Sequence, residues 1–516
     1  MARSPVVGRR GMVVSGYPLA TLAGLRILEA GGSAVDGAIA ASAVLATVMQ
    51  HATSPAGDVF ALIHDATNGT THGLNGSGPA PALATPEAYR DGMPMTGIRS
   101  CNVPGIVASW QAAHDRFGRL PWKRLFDAAI DTAGDGFAIS PAIAHQIRTR
   151  AEPLAADPGC AAVYLPGGSP LAAGAVLRQP ALARTFQEIA ADGAAAFYRG
   201  RIAASLDRLM AARDGLLRAG DLADFAPEWT TPVATTYRGA TVEVMPPNSF
   251  GLLLLLQLNG LSGIDPAALD TDGPQRYAHL MAATRLAFAH GEPTICDPRA
   301  APAPLDRLLG PEMTRTLQDG ARGGPAGTTA FPTGGTSTLS VADAAGNAVT
   351  FVQSVFDPFG AFVLDPETGL LLNNRMARFS TDPTHANVVA PGKRPAHTLN
   401  PVHVKVDGRP RWLLATPGAH NQTISIAQIV SNLVDRKMDL AAAVEAPRWT
   451  MEFGGPGVFL EDGIPEAVVS DLVARGHAAR RNAAQFFGSA ETIELTPGGA
   501  LYGVADPRRD AYAAGW

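Results

Sequence analysis

From Pro18 onward, Leu19, Leu22, Leu25, Ile27 and Leu28 fall at helical spacing, and Gly31-Gly32 supply a stop. Glycine ends a helix well because it takes positive φ without Cβ strain. The stretch "DGAIAASAVLATVM" predicts a second helix, apolar nearly all round and therefore buried. "VFALIHDATNGTTHGLNG" reads as two short strands about an Asn-Gly turn. From Ile106 to about Ala289 the pattern is mostly helical, with "ATVEVM" as a strand and "FAPEWTTP" and "MPPNS" as loops. Pro and Gly thicken from Arg299, and "ARGGPAGTTAFPTGG" (321–335) has no periodicity, which predicts a mobile segment. After Thr336 the texture changes. "TLSVAD" and "AVTFVQSV" predict one hairpin, "VHVKV" and "RWLLAT" a second across Asp407-Gly408, and "TISIAQIVSNLVD" a helix. Helices first, then paired strands with helices behind them, predict stacked α and β layers. No internal repeat of fixed period is present.

The chain has 516 residues, a 46% hydrophobic content and a net charge of −5. That is ample for a large core, and the length allows about two to four conventional domains. Basic runs are short, so nucleic acid is not an expected partner. Cys101, Cys160 and Cys296 show no CxxC spacing and no disulfide framework, which suits a reducing compartment. The N-terminus "MARSPVVGRRGMVVSG" lacks the apolar region of a signal peptide. The most apolar stretches are shorter than the ~20 residues of a membrane helix. The expectation is a cytoplasmic protein without a membrane partner.

Several chemistries have no motif here. There is no GxxxxGK[ST] loop, no GxGxxG opening a helix, no HExxH and no GxSxG. His51, His397, His403 and His420 lack metal-ligand spacing, and nothing nominates the serine of a Ser-His-Asp hydrolase. One junction stands out: "PTGGTSTLSVADAAGNAV", from Pro332 to Val349. A threonine hydroxyl needs an adjacent base to act as a nucleophile. At a free chain terminus the α-amine supplies that base, with an unperturbed pKa of ~7.7–8.0. The peptide before Thr336 must then be cut. Gly335 removes side-chain bulk at the carbonyl to be attacked, and the following strand fixes the new terminus on a sheet. The alternative is a turn with polar residues at a strand entry.

The wider sequence resembles the γ-glutamyltransferase family of N-terminal nucleophile hydrolases over nearly its whole length. "GMVVSGYPLATLAGLRILEAGGSAVDGAIAASAVLATV" is similar to the family's N-terminal signature, and "RLAFAHGEPTICDPR" to its mid-chain segment. "TSTLSVADAAGNAVTFVQSV" resembles its nucleophile block, and "GLLLNNRMARFS", "PGKRPAHTLNP" and "ATPGAHNQ" follow in the family's order. The resemblance implies a four-layer αββα sandwich and autocatalytic cleavage between Gly335 and Thr336. A large subunit, 1–335, and a small subunit, 336–516, would stay in one folded unit, and a homodimer of such heterodimers is compatible with this. Thr336 would attack an amide and pass the acyl group to water or an amine. Ser354 matches a hydroxyl that orients the terminal amine; the alternative is an ordinary strand hydroxyl. Gly418-Ala419 matches the turn whose N–H groups form the oxyanion hole. No cofactor or metal is required.

The resemblance also implies where the substrate pocket departs from the family. The position of the family's carboxylate-binding arginine reads Ser77, and that of its serine pair reads His397-Thr398. The acid that holds the substrate ammonium reads Arg378, a neighbouring glutamine reads Arg375, and a substrate-touching asparagine reads Phe356. An arginine there repels an ammonium. Arg375 and Arg378, with Asn374 and His397, suit a carboxylate or dicarbonyl near the scissile bond, since guanidinium groups hold planar carboxylates bidentately. The alternative is that one or both arginines point to solvent. "SPAGDVF" also departs from the family's Gly-rich block. "NGSG", "GKRP" and "HTLNP" resemble the branch that includes oxamate amidohydrolase. The leading expectation is a self-processing threonine amidohydrolase for a small anionic amide. The alternatives are a γ-glutamyl hydrolase or transferase with a remodelled pocket, an acylase or C–C hydrolase of a biosynthetic pathway, and an unprocessed binding or structural homologue.

Overall fold

Two seven-stranded sheets face each other between helical layers in the computed structural model, which describes residues 4–323, 335–452 and 457–516. The strands are β1 (Val6–Gly8), β2 (Gly11–Ser15), β3 (Asp58–Asp65), β4 (Thr70–Gly76), β5 (Glu228–Thr230), β6 (Val233–Tyr237) and β7 (Ala240–Val244). They continue with β8 (Gly335–Asp343), β9 (Ala348–Phe356), β10 (Val402–Val406), β11 (Arg409–Leu414), β12 (Glu491–Leu495), β13 (Leu501–Ala505) and β14 (Tyr512–Gly515). One sheet runs β1-β13-β12-β11-β10-β7-β6, the other β14-β2-β8-β9-β3-β4-β5. Both interleave strands from before and after residue 335, so neither part of the chain completes a sheet alone.

Helices cover the two outer faces. On the β8 side lie α1 (Pro18–Glu29) and α2 (Ala34–Val48), and the helical region 106–212 extends the layer. All fifteen residues of α2 are buried, as its unbroken apolar pattern predicts. Its start is fixed by a capping box: Ser33 Oγ accepts from the Asp36 N–H at 3.1 Å, and the Asp36 carboxylate accepts from the Ser33 N–H at 2.9 Å. α1 turns a different face inward from the one its leucines predict. Leu19 and Leu22 stay partly exposed, while Ala20, Ala23, Gly24, Ile27 and Leu28 pack. Small residues win because α1 lies close on α2: a Cβ on Gly24 would sit 2.9 Å from the Gly37 carbonyl. On the other side α3 (Gly251–Leu261), α4 (Pro274–Gly291) and α5 (Asn421–Val434) cover the second sheet. Between the sheets Met12, Val14, Leu413 and Ile493 form one apolar cluster and Phe60, Leu62, Val352 and Leu399 another. The architecture is the αββα sandwich.

Both predicted hairpins form. β8 and β9 join through Asp343, whose carboxylate accepts from the N–H groups of Ala345 and Asn347. β10 and β11 join through Asp407 and Gly408, both at positive φ. "FAPEWTTP" differs from its loop prediction: Glu228–Thr230 pairs with Gly73–Asn75 and extends the sheet edge. Three residues carry no period of their own, so only the partner strand defines this one. Most of the stretch 321–335, predicted to be mobile, lies outside the described residues. Among the described residues no helix is long and apolar enough to cross a membrane.

Candidate active site

Thr336 is the second residue of β8 and is buried. Side chains alternate along a strand. Thr336, Thr338 and Ser340 therefore face the opposite sheet, while Leu339 and Val341 join the core under α2. Across the inter-sheet space, Gln422 of α5 reaches Thr336 Oγ with Nε2 at 3.5 Å. Gly335 pairs with Phe356 of β9, and its carbonyl accepts a hydrogen bond from Ser354 Oγ. Ser354 Oγ in turn accepts from the Phe356 N–H at 2.6 Å. A Cβ on Gly335 would come within 3.1 Å of the His51 carbonyl and the Pro358 nitrogen. Glycine suits this close approach.

Gly418 and Ala419 form the turn that enters α5, with φ of +130° and +51°. Their carbonyls accept from the Asn421 and Gln422 N–H groups at 2.9 and 3.1 Å. Among the described residues their own N–H groups meet no acceptor, and they stand at a helix N-terminus, where backbone donors favour negative charge. The same helix that carries this turn carries Gln422, so turn and hydroxyl belong to one neighbourhood.

The third group is a cationic corner. Arg375 is fully buried, and its Nε donates to Asp58 Oδ2 at 3.2 Å. His397 Nε2 lies 3.2 Å from the same oxygen, and the Gly78 N–H donates to Asp58 Oδ1 at 2.9 Å. Burial lowers Arg375 to about 10, so it stays charged at neutral pH. Burial and the nearby Arg375 lower His397 to about 3, so its ring is neutral. With Nε2–H donated to Asp58, Nδ1 presents a lone pair. The Arg375 guanidinium stacks 4.7 Å from the Phe356 ring centre, and that of Arg378 lies 6.0 Å from it and 5.4 Å from the Phe250 ring. Because Phe356 is the strand partner of Gly335, this cluster adjoins the Gly335–Thr336 bond. Among the described residues Arg375 Nη1 and Nη2, Arg378 Nε and His397 Nδ1 have no hydrogen-bond partner.

The remaining sequence-named residues are placed as follows. The Asn374 amide is spent on protein: Nδ2 donates to the Met95 carbonyl at 2.8 Å and Asp357 Oδ2 at 3.1 Å, and Oδ1 accepts from the Asp357 N–H at 3.0 Å. Thr398 is buried beside His397. Ser77 Oγ accepts from Asn248 Nδ2 at 3.2 Å. Sequence reasoning missed Asp58, Gln422 and Glu292. Asp58 sits in the divergent "SPAGDVF" block and pairs in register with Ser354. Glu292 Oε1 lies 3.7 Å from His420 Nε2, and burial raises it to about 8. Among the described residues no group of three His, Cys, Asp or Glu side chains could hold a metal.

Two sheets packed between helices, with a threonine at the head of an inner strand and a backbone turn facing it, define an N-terminal nucleophile hydrolase. The chain belongs to the gamma-glutamyltranspeptidase family, whose model matches residues 20–516. It is 36% identical to an acylase (ACY 1 proenzyme) of a Pseudomonas strain, over 98% of this chain and 94% of the relative. It is 33% identical to the oxamate amidohydrolase proenzyme of Klebsiella pneumoniae, over 99% of both. In three dimensions it matches a cephalosporin acylase from Bacillus halodurans at a TM-score of 0.92 and 32% identity, covering 100% of this chain and 97% of that one. The family's members are enzymes, including amidohydrolases, acylases and glutathione hydrolases.

Proposed function

We propose that this protein is a self-processing amidohydrolase whose nucleophile is Thr336 and whose substrate is an amide with a carboxylate and no ammonium group on its acyl part. The observation that carries the substrate class is the pair of guanidinium groups over Phe356, beside the bond to be cut, with both Arg375 Nη atoms unengaged. In the first reaction Thr336 Oγ attacks the Gly335 carbonyl, which Ser354 polarises. The resulting ester is hydrolysed by water, leaving residues 1–335 and 336–516 as two subunits of one fold. The freed Thr336 amine then takes the hydroxyl proton during attack on substrate. Gly418 and Ala419 N–H groups stabilise the oxyanion, the amine product leaves, and water releases the acid.

Three outcomes check this reading. Purified enzyme offered oxamate, a glutaryl anilide, a γ-glutamyl anilide and glutathione should hydrolyse one of the first two at least about tenfold faster than the last two. Robust glutathione hydrolysis would overturn it, because Arg378, at the position the resemblance gives to the ammonium-holding acid, would repel the γ-glutamyl ammonium. Arg378→Gln should raise KM for the preferred anionic amide by about 10–100-fold with a smaller change in kcat, the expected loss for a charge-assisted hydrogen bond. Ser354→Ala should slow self-cleavage by about 100-fold, since it removes a donor to the scissile carbonyl. Time courses on denaturing gels read this directly. The likeness to two acylases favours a second reading within the same chemistry, in which the leaving amine is larger than ammonia. Product analysis of the screen separates the two.

A further inference from the structure

The face of β8 that carries Thr336 continues into a buried carboxyl. Thr338 Oγ donates to Glu491 Oε2, and Ser340 Oγ donates to the Glu491 backbone carbonyl at 3.1 Å. Glu491 also reaches the other side of the site. Its N–H donates to the Ala415 carbonyl at 3.0 Å, at the start of the segment that runs into Gly418. Ser489 Oγ donates to Glu491 Oε1 at 2.9 Å, and the Ser489 N–H donates to Thr416 Oγ at 3.2 Å. Gly488, at φ +86°, lies so close to this segment that a Cβ would meet Thr416 Oγ at 2.5 Å and the Pro417 carbonyl at 2.7 Å. Glu491, by its side chain on one side and its backbone and Ser489 on the other, thus joins the strand of the proposed nucleophile to the loop of the oxyanion turn.

Glu491 is 1% exposed. Burial raises it to about 8; the Thr338 and Ser489 hydroxyls oppose this, Asp506 adds to it, and Arg509 opposes it. Asp506 is itself held by Arg448 at 2.6 Å and by Arg508 at 3.1 Å, so its charge is largely matched. His403, beyond Thr350 on the same inter-sheet face, is kept neutral by its own burial. At neutral pH Glu491 is a neutral acid among hydroxyls. Ionisation would put a charge in this space two residues from the Thr336 amine. A negative neighbour favours the ammonium form, which cannot accept the hydroxyl proton.

We propose that Glu491 is a positioning residue: its carboxyl on Thr338, its N–H on Ala415 and its Ser489 partner on Thr416 tie the strand of Thr336 to the loop of the oxyanion turn, and a charge on it would raise the proton affinity of the terminal amine. The proposal rests on Thr336 being the nucleophile. The test uses wild type, Glu491→Gln, Glu491→Ala and Thr338→Val in two assays between pH 6 and 9.5. One follows kcat and KM on a glutaryl anilide; the other follows self-cleavage of freshly synthesised chain. In wild type kcat should rise with pH as the amine loses its proton, with that rise displaced to higher pH by the Glu491 charge; self-cleavage, which precedes the free amine, lacks this dependence. Glu491→Gln, uncharged at every pH, should keep both rates on the plateau within about threefold and move the rise of kcat to lower pH. Glu491→Ala and Thr338→Val should lower kcat by about 100-fold with KM little changed, the effect of a misplaced nucleophile. A Glu491→Gln pH profile that superimposes on wild type, or a Glu491→Ala kcat equal to wild type, would overturn the proposal. If the anilide is not hydrolysed by wild type, the substrate class fails, and the cleavage assay still decides the role of Glu491.

Discussion

Thr336→Ala is expected to leave a single uncut chain and to lower amide turnover by at least about 10⁴-fold, a loss typical of removing a nucleophile that works with its own base. The substitution should remove both functions at once, because the proposed mechanism gives chain cleavage and attack on substrate to the same hydroxyl. The fold should survive it. Among the described residues the Thr336 hydroxyl has one long hydrogen bond, from Gln422 at 3.5 Å, and β8 is held on both sides by β2 and β9. Circular dichroism and the elution volume should therefore match those of wild type. Thr336→Ser keeps a hydroxyl at the same place and should still cut, more slowly. A Thr336→Ala protein that is cut at residue 335 would remove the residue from the chemistry altogether.

The second large effect is on stability. Arg375→Met is expected to cost about 3–5 kcal/mol, because it strands the Asp58 carboxylate in a space from which water is excluded. The neutral His397 and the Gly78 N–H remain, and neither replaces the lost charge. Asp58→Asn alone should cost a similar amount, by stranding the guanidinium. The double variant should recover much of either loss, since it removes both charges together. Guanidinium unfolding of the three variants measures the coupling. Arg375→Met with less than about 1 kcal/mol lost would mean that the pair adds little, as exposed ion pairs do. The pairing also bears on the proposed substrate class: Arg375 uses Nε on Asp58, which leaves Nη1 and Nη2 available to the carboxylate proposed above.

Much of the layered fold was legible because the relevant signals are local. Asp407-Gly408 and the Asp343 turn specify hairpins within a few residues, and α2 announces its burial by having no polar face. The strand that starts at Gly335-Thr336 was legible for the same reason, as an alternating run that follows a glycine pair. What was not legible depends on residues far apart in sequence. Asp58 meets Arg375 and His397 across more than 300 residues, and no spacing rule connects "AGD" to "NNR". Arg375 could therefore be read as a solvent-facing cation or a ligand group, and its fully buried pairing with Asp58 was absent from both readings. β5 was missed because its pairing partner, β4, supplies the only pattern it has. Asn374 carries the right chemistry for a substrate contact, yet its amide is committed to Met95 and Asp357. Leu19 and Leu22 satisfy a helical period yet stay partly exposed, while Ala20, Ala23 and Gly24 pack beside Ile27 and Leu28, where closeness to α2 outweighs side-chain size.

Self-cleavage at one peptide bond is the central claim, and one measurement addresses it without any knowledge of the substrate. Wild-type protein should run on a denaturing gel as two bands, and the N-terminal sequence of the smaller should read Thr-Ser-Thr-Leu, from Thr336. A single band of full length, unchanged on long incubation, or a small fragment beginning at any other residue, would contradict it.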